Sequence, residues 1–258
     1  MSQTTAPASP ATVEREAVLM DKPVGPVQLI IRAVLLENMR RRDFYVVLIL
    51  MALYLVGALV ARLAGVQNEA TAGLLLNLGL TLDSLSAHAI ALLAAARQLP
   101  NEMEQRTIYP LLAKPVRREQ LLLGKWAASW LSGVLTLLLL LPLALLPIAS
   151  AGETSAALFL ETILLQIGSL AALSAFAMLG SLVMPRALNI VIVGLVAVAG
   201  GTVVNLVRAR FTGSWADGLV RWVTGYVPDF SRLDLILTYT SGGVALSVGD
   251  LAVRVVYA

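Results

Sequence analysis

The chain has 258 residues, of which 58% are hydrophobic and 14% charged, with a formal net charge of +3. Soluble domains carry about 25% charged residues, so this composition, with a mean hydropathy of +0.82, excludes a soluble enzyme and predicts an all-α polytopic membrane protein. Cysteine is absent and His88 is the single histidine, so no disulfide, thiolate site or multi-histidine metal centre is expected, and no cofactor is assigned to this chain.

Residues 1–25 are rich in Thr, Ala, Ser and Pro and read as a mobile tail. Glu14, Glu16 and Asp21 sit where a signal peptide would need a basic start and an apolar core. From 26 to 43 an amphipathic pattern follows. Val27, Ile30, Ile31, Val34 and Leu35 are apolar, and Arg32, Glu37 and Arg40 are polar. That spacing predicts an interfacial elbow helix ahead of the first span.

Five apolar runs are long enough to cross about 30 Å of hydrocarbon at about 1.5 Å per residue. They lie near 44–61, 74–96, 121–148, 156–183 and 188–207. Pro142 and Pro147 predict a kink late in the third. The second run is the least apolar. Asn77, Thr81, Ser84 and His88 share one helix face, and Asp83 stands near mid-bilayer. A charge there costs at least about 2.5–3.5 kcal/mol, so it should face protein or water. Asp83, Ser84 and His88 are therefore the candidate polar path or subunit interface. Hydrogen bonding between neighbouring helices accounts for the Asn, Thr and Ser residues as well. Asp83 and His88 are about 140° apart around the helix, which argues against an acid–base pair, and no catalytic residue is assigned.

Between the second and third runs lies a charged island, Arg97 to Lys125, with six basic residues and three acids. It is read as a cytoplasmic loop over 97–120. Pro100 is expected to end the preceding helix and Asn101 to cap a new one, with Glu104 three residues later as in a capping box. Glu102 and Glu104 would then occupy a first turn, where the helix dipole favours acids. Pro110 would limit this helix to 101–109, and Lys125 would snorkel from the third span.

After the fifth run, residues 208–258 are mixed. Trp215, Trp222 and Tyr226 are interfacial residue types, and no sixth run follows. Orientation is read from Lys and Arg. Thirteen fall on the side of the N-terminus and the island, and six on the other. The N-terminus is therefore expected to be cytoplasmic and 208–258 extracytoplasmic. The pI near 9.4 points to anionic lipid at basic loops and not to nucleic acid.

The order Glu102/Glu104, Arg106-Thr107, Leu111-Leu112, Lys114-Pro115, Arg118, Gly124-Lys125 resembles the permease subunits of type-2 ATP-binding-cassette exporters. In that family this loop is the coupling helix that docks on the ATPase. The resemblance implies docking roles for Glu102, Glu104, Arg106 and Thr107, a second permease subunit as a homodimer or similar chain, and a multi-pass place in the cell (inner) membrane. It also implies six spans where five are visible. The only Gly-Lys, at 124–125, has Glu119 where the first Walker A glycine belongs and Trp126 where Ser or Thr belongs. ATP and magnesium are thus expected in a partner ATPase and not in this non-catalytic chain. The implied function is substrate export. The alternative is a force-transmitting anchor acting on an extracytoplasmic protein docked at 208–258.

Overall fold

The computed structural model describes residues 26–65, 69–104, 118–146, 156–212, 217–224 and Ile236. Among the described residues there are seven helices and no strand. They are α1 (Pro26–Met39), α2 (Arg42–Leu63), α3 (Glu69–Glu104), α4 (Arg118–Leu145), α5 (Ala156–Val183), α6 (Arg186–Phe211) and α7 (Asp217–Thr224). Leu, Ala and Met favour helix, and in hydrocarbon a helix satisfies its own backbone hydrogen bonds. Four are long and apolar enough to span a membrane: α2, Thr71–Gln98 of α3, Glu119–Leu145 of α4 and Phe159–Val183 of α5. The protein is an all-α, multi-pass membrane protein. A fifth long helix, α6, has 26 residues, with an apolar stretch Arg186–Gly201 among the residues searched and Arg208 and Arg210 in its last turn.

The elbow region is not one helix over 26–43. The chain breaks after Met39, Arg41 is extended (φ −80°, ψ 152°), and α2 starts at Arg42. The break lets α1 turn back against α4, where Asn38 Nδ2 donates to Ser132 Oγ at 3.0 Å. Side-chain bonding to a partner helix thus replaces a continuous helical entry.

At the centre stands α3, which touches α2, α4, α5 and α6. Its lower half is lined with small buried residues, Ala87, Ala91, Ala94, Ala95 and Ala96. Across from them sits Gly133 of α4. A Cβ there would lie 2.8 Å from the Ala91 Cβ and 3.2 Å from the Ala87 carbonyl oxygen, so only glycine permits this helix approach. Higher up, Tyr54 of α2 is wedged between α3 and α4. Its hydroxyl lies 3.0 Å from the Leu75 carbonyl and 3.1 Å from that of Ala144.

Two contacts tie α5 to its neighbours. Trp126 and Trp130 of α4 stack with centroids 5.7 Å apart. Each donates its indole N–H to α5, Trp126 to the Ala171 carbonyl (3.1 Å) and Trp130 to that of Ile167 (3.0 Å). On the other side, fully buried Asn189 of α6 donates to the Ala177 carbonyl at 2.8 Å. Ile236 is buried against Leu76, Leu80, Leu141, Leu145 and Phe159. A residue expected in the outward segment thus lies inside the bundle.

Candidate functional site

The first candidate region is the end of α3. Asn101 does not start a separate helix, and 105–109 of the expected one lie outside the described residues. Instead α3 continues through Pro100 as far as Glu104. Proline removes one ladder donor, and the carbonyl it leaves without a ladder bond is that of Ala96. Glu102 and Glu104 therefore lie at the described end of α3 and not in the first turn of a new helix. Arg106 and Thr107, and the rest of 105–117, lie outside the described residues.

One turn before this end, polar contacts lash α3 to its neighbours. Arg97 donates to Asp43 at the start of α2. Gln98 donates to Ser129 of α4, and Arg41 pairs with Glu37 at the break between α1 and α2. The Arg97–Asp43 pair is mostly shielded, with 11% and 33% side-chain exposure. Lys125, expected to snorkel, is buried, because α1, α2, α3 and α5 all pack on α4. Asp43, Asn38, Ser129 and Ser132 carried no local signal of these roles, since each acts through a residue distant in sequence.

The second region is a polar seam between α3 and α5. Ser84 Oγ donates to Gln166 Oε1 at 3.0 Å. His88 Nδ1 lies 2.7 Å from the Ser84 carbonyl oxygen and Nε2 lies 2.8 Å from Ser169 Oγ. A carbonyl only accepts, so Nδ1 carries a hydrogen. In a neutral ring Nε2 then accepts from the Ser169 hydroxyl. Asp83 points elsewhere. It is buried and lines a cavity of about 20 Å³ together with Ser84, Thr162 and Gln166, walled by Leu80, Leu137 and other apolar side chains. The structure thus joins Ser84 and His88 in one hydrogen-bonded group and sets Asp83 beside it. Thr81, assigned to the same face from its spacing, is exposed. Thr162 and Ser169 were missed. With Gln166 they fall at i, i+4 and i+7 on α5, the same one-face spacing as the stripe on α3, and that match was the available signal.

Among the described residues, no group of three or more His, Asp or Glu is placed to hold a metal ion. Helices that cross the membrane several times, with polar groups turned inward, define a multi-pass helical membrane protein. Residues 28–214, well over half of the chain, match the model of the ABC-2 family transporter protein. The chain belongs to that family and is a membrane permease of an ABC transporter. Such permeases are generally non-catalytic membrane subunits that associate with an ATP-binding-cassette subunit. No curated protein matches the chain.

Proposed function

We propose that this permease exports a substrate, driven by ATP hydrolysis in separate cytoplasmic ATPase subunits that dock at 101–107. The N-terminus and the docking end face the cytoplasm of the cell (inner) membrane, and a second permease subunit completes the transmembrane domain. ATP and magnesium belong to the ATPase. One observation carries the reading: α3 is a single helix from Glu69 to Glu104. Movement imposed near Glu102 and Glu104 would therefore reach Ser84 and His88 through continuous backbone. The Arg97–Asp43 and Gln98–Ser129 contacts would pass it on to α2 and α4. Access to a cavity between the two permease halves changes as the helices move.

The test is Arg106→Glu in the assembled complex. The expected result is intact permease in the membrane with ATPase turnover no longer linked to it, or with the ATPase lost on purification. Normal co-purification together with normal substrate-stimulated turnover would sink the docking assignment.

A further inference from the structure

The Asp83 carboxyl is only 2% exposed, and its Oδ1 meets no hydrogen-bond donor among the described residues. A buried carboxylate that stays charged without a counter-charge is strongly disfavoured. The cavity it lines has room for about one water-sized particle. Among the described residues, no Lys or Arg lines that cavity. The nearby titratable groups are turned elsewhere or set apart. The ring of His88 is engaged by Ser169, Glu161 is the half-buried neighbour of Thr162, and the Tyr54 hydroxyl lies at Leu75 and Ala144. Among the described residues, α4 contributes Leu137 and Leu141 to the cavity, and Ile236 adds a further apolar wall.

Among the described residues the polar lining is of oxygen-bearing side chains: Asp83, Ser84, Thr162 and Gln166. The Ser84 hydroxyl donates to Gln166 Oε1 and lies 3.5 Å from His88 Nδ1. Oxygen donors suit hard cations. Against the single negative charge among the described lining residues, a divalent ion would leave net charge in the hydrocarbon, whereas a monovalent one cancels it. We propose that Asp83 and this cavity form a binding site for one monovalent cation, a proton or a sodium-sized ion, held between α3, α4 and α5. The site is independent of the ATPase docking proposed above.

The test uses the full chain in nanodiscs, with two readouts. Infrared spectra in water and heavy water at neutral pH report a protonated carboxylic acid by its deuterium-shifted carbonyl band. Thermal unfolding in sodium chloride against choline chloride at equal ionic strength reports a bound metal ion. A proton at the site gives the acid band in the wild type and its loss in Asp83→Asn. A sodium-sized ion gives no acid band but a saturable sodium-dependent rise in Tm, abolished in Asp83→Asn. Either result supports the site. Absence of both signals in the wild type overturns it, as does either signal surviving unchanged in Asp83→Asn. Should that variant not fold, Thr162→Val removes one wall oxygen at similar volume. A shifted acid band or weakened sodium response then supports the site, and no change in either overturns it.

Discussion

Helices α2 and α3 make an instructive pair. Both are long enough to cross a membrane, yet 22% of the apolar window of α2 is buried in the chain against 56% for α3. The more buried helix is the one carrying Asp83, Ser84, Ser86 and His88, and the more exposed one is almost purely apolar. In water the order would be reversed. Here the surrounding solvent is hydrocarbon, so polar groups turn toward protein and large aliphatic side chains such as Ile49, Leu53 and Val56 turn out.

The largest effect is expected at the contact between α3 and α4. Gly133→Leu would drive a side chain into Ala91 and the Ala87 carbonyl and should cost about 1–3 kcal/mol or prevent folding. Gly57→Leu on α2, where a Cβ meets nothing within 4 Å, should leave Tm nearly unchanged. Equal losses at the two glycines would remove the distinction between a central and a peripheral helix.

An intermediate effect is expected at Arg97. Replacing it with Ala strips the partly shielded Asp43 of its partner and should cost about 1–2 kcal/mol, between a surface pair and a buried one. A double-mutant cycle with Asp43→Asn isolates the pair, and a coupling energy of zero would show that the two helices are not joined there. A smaller effect is expected for Ser169→Ala. Losing one interhelical hydrogen bond to His88 should cost about 0.6 kcal/mol, the average inside membranes. By the same logic, Leu53→Ala on the outer face of α2 should change the chain's own stability by less than about 0.5 kcal/mol. A larger loss there would mark a face covered by a second subunit.

Much of this was legible in the sequence because the membrane imposes a simple rule. A run of some twenty apolar residues has only one satisfactory backbone, so the helices near 44–61, 74–96 and 156–183 could be read directly from the chain. Features set by contacts between helices were not legible. Pro100 looked like a helix end because local rules treat proline as a breaker, but the bundle carries α3 on to Glu104. The elbow over 26–43 read as one helix from its amphipathic spacing, but the backbone turns at Arg41. The stripe on α3 was visible from its spacing, whereas its partner on α5 needed the knowledge that these two helices pack side by side. Asp83 was singled out for its cost alone, and the oxygens of Thr162 and Gln166 beside it come from a helix about 80 residues away.

The stacked tryptophans give α4 and α5 a register. Trp126 and Trp130 are four residues apart, and so are the carbonyls that receive them, at Ala171 and Ile167. The two helices run antiparallel. A slide of α4 by one turn, about 5.4 Å, would bring Trp130 to Ala171 and Trp126 to the next turn, at Ala175. Intermediate positions would leave both indole N–H groups without an acceptor inside the membrane. Sliding along this seam is therefore expected in discrete steps, with a detent at each helical turn.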